Sequence, residues 1–264
     1  MNYPETLHHG TTGGVTGSCH QLLMDARHSL LIDCGLFQGT ETSAEGRSAA
    51  DRLAIEFPLY SIKALVATHV HIDHVERYIK LIEQRIIALP YNAWFTLHDS
   101  ESLVCRIRLQ RARHILGSAY VEVDLHYPLC GENKRVVFSG DLGAPHAPLL
   151  PAPKPPYRAD ILVIESTYGD RLHENRRTRR QRLESVIEQA LANNGTVLIP
   201  AFSIGRTQEL LYELEDIIHS KKLDVVNEGQ ANSAAVNPPL PSGVRGKTSD
   251  HDTVGPDWPT LPII

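Results

Sequence analysis

The stretch "THVHIDH" sets three histidines and an aspartate, His69, His71, Asp73 and His74, within six positions. Where a strand runs out in extended chain, side chains two residues apart point the same way. His69, His71 and Asp73 therefore share one face, and His74 stands beside them at the start of the following helix. Imidazole nitrogens and a carboxylate converging on one point are donors that suit a borderline divalent cation such as zinc. Read singly, Asp73 also has the residue type of a helix N-cap.

A second stretch, "PAFSIGRTQELL", runs from a strand pattern through Ser203, Gly205 and Arg206 into a helix pattern. Backbone N–H groups, a hydroxyl and a guanidinium at a helix start can meet one phosphate, although a flexible glycine before an ordinary helix has the same spelling. The run "RRTRRQR", with Arg176, Arg177, Arg179, Arg180 and Arg182, reads either as a track for a nucleic-acid backbone or as a solvated helix face.

The elements that must hold these residues are short. Apolar strand patterns closed by turn residues appear in "SLLIDCG", "IKALVATH", "AYVEVDLHY", "RVVFSGD" and "ADILVIEST". Most end on a polar or glycine-containing turn, where an α/β protein places its chemistry. In "TRRQRLESVIEQALANNG", Leu183, Val186, Ile187, Ala190 and Leu191 follow helical spacing up to an Asn-Asn-Gly stop. A strand "TVLIPAF" and a helix "TQELLYELEDIIH" follow, and from about Asp224 the sequence turns to Pro, Gly, Ser and Asn without a period.

Bulk properties narrow the partners. With 264 residues, 42% apolar and 22% charged, the chain is long enough for a full core. Its net charge of -5 leaves any contact with a polyanion local. Cys19, Cys34, Cys105 and Cys130 form no C-x-x-C pair and read as reduced thiols of a cytoplasmic protein. No run has the length and apolarity of a membrane span, and no leader pattern opens the chain.

Taken in order, "THVHIDH", "HILGSAYVEV", "VVFSGDLG", "IESTYGDR" and "IPAFSIGRTQELL" resemble the metallo-β-lactamase fold. The last two resemble its β-CASP branch, the nucleic-acid-cleaving enzymes that include ribonuclease J-like proteins and the endonuclease of messenger-RNA 3′-end processing. The resemblance runs from roughly Tyr3 to His219. It implies an α/β fold of the four-layer αββα sandwich type, with a two-metal site at the loop ends of two facing sheets. It further implies that His69, His71 and His114 hold one zinc, that Asp73 and His74 hold the other, and that Asp141 bridges the two. Asp73 would also orient the attacking water. Glu165, the acid of "IESTYGDR", matches the acidic motif that opens a β-CASP domain, where it orders an active-site histidine.

The chain departs from that pattern in three places. His74 is joined almost directly to "ERYIKLIEQRIIALPYNAW", where relatives have a longer helical stretch. Arg113 stands where relatives have a glycine before the ligand at His114, which would put a cation beside the metal. The late histidine motifs have no counterpart, since His219 and His251 sit in no matching context. The expected architecture is an incomplete metallo-β-lactamase core over residues 1–165, with part missing after residue 75. The first part of a β-CASP domain would cover 166–222 and a disordered tail 223–264. The expected function is zinc-dependent cleavage of RNA phosphodiester bonds, reduced in this chain, with one tight zinc. The alternatives are an inactive remnant that still binds nucleic acid or metal, and another hydrolase of the fold acting on a thioester or lactam. RNA, or another single-stranded nucleic acid, is the expected partner, and a homodimer through an exposed sandwich edge a further one.

Overall fold

The computed structural model describes residues 3–10, 12–38, 55, 57–75, 85–144, 147–172 and 178–235, with side chains of the last helix to Lys222. The chain divides into two compact units, Met1–Asp170 and Arg171–Ile264.

The first unit is built on two sheets. One takes β1 (Glu5–His8), β2 (His20–Leu23), β3 (Ser29–Ile32) and β4 (Ile62–Val66) in that order, antiparallel except for the parallel β3–β4 pair. The other takes β5 (Trp94–Asp99), β6 (Val104–Arg111), β7 (Ala119–Tyr127), β8 (Glu132–Phe138) and β9 (Ile161–Val163), antiparallel except for the parallel β8–β9 pair. Period-two alternation decides which residues meet between them. Leu22, Leu30, Ile32 and Val66 from the first sheet share one buried cluster with Cys105, Ile107, Val121, Val123, Leu125, Val136 and Phe138 from the second. Leu31, between Leu30 and Ile32, points to the opposite face and packs with Cys19 and Cys34. Burying apolar area on this scale, at roughly 25 cal/mol per Å², holds the two sheets face to face.

The expected strands in "SLLIDCG", "IKALVATH", "AYVEVDLHY", "RVVFSGD" and "ADILVIEST" correspond to β3, β4, β7, β8 and a shorter β9. Four strands, β1, β2, β5 and β6, had no counterpart in the sequence reading. β6 could have been found, because Cys105 and Ile107 are buried while Arg106 and Arg108 face the other way. The join after His74 falls largely on residues 76–84, outside the described residues. Only a one-turn helix α1 (Ile72–Val75) is described there.

The second unit has helices α2 (Arg179–Ala192) and α3 (Arg206–Ala235). Leu183, Ile187 and Leu191 pack with Leu210, Leu214 and Ile217, as the helical spacing requires, whereas Val186 is about half exposed. α3 runs to Ala235, well past Asp224. Residues 236–264 lie outside the described residues. The expected strand "TVLIPAF" is a correction: residues 196–202 belong to no ladder among the described residues, and Leu198 and Phe202 are largely exposed. β-branched composition favours a strand only where a partner edge exists. Among the described residues no helix is long and apolar enough to cross a membrane.

Candidate metal centre

The site grows from strand ends of both sheets. β3 passes into Asp33, β4 into Thr68 and His69, and β8 into Asp141, while His114 lies on the connection from β6 to β7. The Ala119 N–H donates to the Thr68 carbonyl at 2.8 Å, which ties the β7 start to the β4 exit. The Gly143 N–H donates to Ala112 at 2.9 Å, fixing the Asp141 turn against the segment that carries His114. Two glycines permit the close approaches. A Cβ on Gly35 would fall 1.4 Å from the Asp73 carbonyl oxygen, and Gly140, at φ +51°, lies against Thr68.

Four donor atoms converge. Nδ1 of His71 is 3.0 Å from Nε2 of His69 and 3.3 Å from Nε2 of His114. Oδ2 of Asp141 is 3.8 Å from Nε2 of His69 and 3.5 Å from Nε2 of His114. Four ligands in a tetrahedron, each about 2.0–2.1 Å from a central ion, are separated by about 3.3–3.4 Å. The donor set therefore fits a small divalent cation, and all four donors lie within 4.8 Å of one another. The other oxygen of the same carboxylate, Oδ1 of Asp141, lies 3.5 Å from Nε2 of His74, which is 3.7 Å from Oδ2 of Asp73. Asp141 thus presents one oxygen to each of two donor groups.

The electrostatics follow from burial and from these neighbours. Burial, reinforced by His74, pushes the His69 imidazole down to about 2. It therefore stays neutral with a lone pair to offer. Burial alone would lower His74 too, but the carboxylates of Asp141 and Asp33 hold it up at about 10, so His74 must release a proton before its Nε2 can serve a cation. Burial raises Asp141, and the hydrogen bond from His74 outweighs that and brings it to about 2.

Sequence reasoning missed Asp33. Its Oδ2 accepts from Nδ1 of His74 at 2.8 Å and from the Thr68 hydroxyl at 2.9 Å, and its Oδ1 accepts the Thr68 N–H at 2.8 Å. Asp33 is buried at φ 57°, a left-handed conformation that Asp tolerates better than most residues. The available signal was an acid directly after the apolar run "LLI", where a buried carboxylate needs partners.

Glu165 lies after β9. Its Oε1 accepts the Leu142 N–H at 2.6 Å, next to Asp141, and its own N–H donates to the Ser139 hydroxyl at 2.9 Å. Arg113 sits in the left-handed region, at φ 66°, where a glycine would be relaxed, and its buried guanidinium donates to the Ala147 carbonyl. A cavity of about 560 Å³ opens beside Asp141 and His74 and is also walled by His8, His20, Phe138 and Glu165.

Ser203, Gly205 and Arg206 belong to the second unit, at the start of α3. The Gly205 N–H donates to the Gln208 side chain at 2.6 Å, and Arg206 pairs with Glu209 at 2.9 Å. In the arginine run, Arg179 and Arg180 pair with Glu213 and Asp216 on α3, so these two join helices within the unit. Arg176 and Arg177 lie outside the described residues.

Residues 14–87 match the profile of the Metallo-beta-lactamase superfamily. A ribonuclease from Thermus thermophilus is 33% identical over 243 residues, 78% of this chain and 53% of that protein. The chain belongs to the metallo-β-lactamase superfamily. An RNase J-like protein from Methanocaldococcus jannaschii is 29% identical over 78% of this metallo-β-lactamase chain and 55% of its own length. Subunit 3 of the cleavage and polyadenylation specificity factor from Dictyostelium discoideum is 37% identical over 106 residues, 40% of this chain and 13% of that subunit. With relatives so named, the β-CASP branch read from the motifs stands. The chain spans about half the length of the first two relatives.

Proposed function

We propose that this chain is a zinc-dependent nuclease that cleaves RNA phosphodiester bonds. The observation that carries the reading is the Asp141 carboxylate, with Oδ2 turned to His69 and His114 and Oδ1 to His74. On this reading His69, His71, His114 and Asp141 hold one zinc, and Asp73, His74 and Asp141 hold a second. When bound, such a cation pair acidifies a water near neutral pH and neutralises charge on the attacked phosphate. Asp73 contributes a carboxylate at the rim of the second donor group, positioned to orient that water. Glu165 acts as a positioning residue, because its grip on the Leu142 N–H fixes the backbone beside Asp141. At the start of α3, Ser203, Gly205 and Arg206 supply a phosphate contact in which the exposed Arg206 guanidinium exchanges Glu209 for the ligand.

The two sites differ in donor number. Four donors face the first ion, whereas Asp73, His74 and the shared Asp141 face the second. We therefore assign one tight and one weaker zinc, with cleavage limited by the second. The test is zinc stoichiometry on the purified chain together with cleavage of a labelled RNA. Metal-dependent cleavage should vanish in Asp141→Ala and His71→Ala, with stoichiometry falling in both. Undiminished cleavage by both variants would overturn the reading.

A further inference from the structure

Two histidines in the cavity wall play no part in either donor group. His8 on β1 and His20 on β2 stand directly opposite each other across the antiparallel ladder, so their side chains share a face. Their Nδ1 atoms are 2.8 Å apart, and the rings meet edge to face with centroids 4.9 Å apart. Both line the cavity whose other wall is made by His74 and Asp141. His20 also stacks on Phe138, a further residue of the cavity wall, with centroids 6.1 Å apart.

The contact couples the tautomers of the two rings. A hydrogen bond between two Nδ1 atoms needs one to carry the proton and the other to accept it. In a pair of neutral rings, the donor ring then keeps a lone pair on Nε2 and the acceptor ring keeps an N–H there. The pair therefore keeps one acceptor and one donor on its two Nε2 atoms. Burial supports the neutral state, bringing His20 down to about 4 and lowering His8. A ribose 2′-hydroxyl is the matching group, since it donates and accepts at one atom and is what separates RNA from DNA. The cavity, at about 560 Å³, is in the size range of sites that enclose one small ligand such as a nucleotide. Its apolar residues, including Phe138, Leu162 and Ile164, suit the base and sugar faces.

We propose that the His8–His20 pair hydrogen-bonds the ribose 2′-hydroxyl of the nucleotide that enters the cavity beside Asp141, and so selects RNA over DNA. The proposal rests on the nuclease reading for its setting, and its test has two arms so that the two can fail separately. In the first, the zinc-loaded chain cleaves an RNA in which one nucleotide at a time beside the cleaved bond carries 2′-hydrogen. One such substitution should slow cleavage about 10-fold, the loss of one to two hydrogen bonds. His8→Ala, on the exposed strand, and His20→Asn, which keeps a polar side chain, should bring the ribo-to-deoxy ratio to about one. In the second arm, adenosine 5′-monophosphate and its 2′-deoxy analogue are titrated into the same proteins, and binding is read from the imidazole proton resonances of His8 and His20.

An unmodified chain that cleaves no RNA defeats the nuclease reading, and the nucleotide titration then decides the proposal alone. Preference for the ribonucleotide in the unmodified chain, lost in both variants, supports it. Equal binding of both nucleotides, or a ribo-to-deoxy ratio that the variants leave unchanged, overturns it.

Discussion

The Nδ1 atom of His74 rests 2.8 Å from the buried carboxylate of Asp33, and that carboxylate is held in turn by the backbone and hydroxyl of Thr68. Such a chain leaves Nε2 of His74 free to face Asp141, so Asp33 sets the orientation of a donor it does not replace. Partners of this kind commonly contribute 10- to 100-fold in metal affinity. Asp33→Asn keeps a residue that tolerates the left-handed backbone and changes only the hydrogen bonding. It should weaken the second zinc by about 10-fold or more in a chelator competition while leaving the tighter zinc in place. Equal affinity in the variant would show that His74 is oriented by packing alone. The spacing of His69, His71, Asp73 and His74 was legible because the donors are neighbours in sequence. Asp33 was not, because its partner is 41 residues away and only the fold brings them together.

At the scale of elements, legibility depended on how densely apolar residues fill a strand. β3 buries all four of its residues and β7 opens on five buried residues, so both stand out in the sequence, whereas β6 alternates arginines with apolar residues and was passed over. Those arginines are part of the structure. Arg108 lies opposite Glu122 on β7, pairs with it at 2.5 Å, and covers the Trp94 ring at 4.5 Å, while Glu122 is fully buried. Removing one partner of a buried ion pair strands the other charge, at a cost of about 3–5 kcal/mol, whereas an apolar pair of similar volume is often neutral. Arg108→Met should therefore destabilise the chain strongly in urea unfolding, and adding Glu122→Leu should restore most of the loss. If the double variant is as unstable as the sum of the single ones, the pair is no coupled unit. The segment "TVLIPAF" errs in the opposite direction: its composition suits a strand, but residues 196–202 have no ladder partner among those described. Pairing is a property of two segments, and one segment's propensity cannot supply it.

For the whole molecule, the division into two compact units separates the proposed chemistries. Every donor of the two metal groups, with Asp33 and Glu165, lies within Met1–Asp170, and so does the cluster that joins the two sheets. Ser203, Gly205 and Arg206 lie within Arg171–Ile264, whose apolar cluster is formed, among the described residues, by α2 and α3. Metal binding and phosphate contact should therefore be separable by cutting the chain between the units. Residues 1–170 produced alone should bind zinc as tightly as the whole chain, and a chelator should lower the thermal midpoint of both proteins alike, because a ligand that binds only the folded state stabilises it in proportion to its occupancy. The same piece should lose affinity for single-stranded RNA and show a flatter dependence on salt, having given up the cationic contacts of the second unit. Zinc affinity that drops when residues 171–264 are removed would show that the second unit supports the metal centre, and the independence argued from the two clusters would then fail.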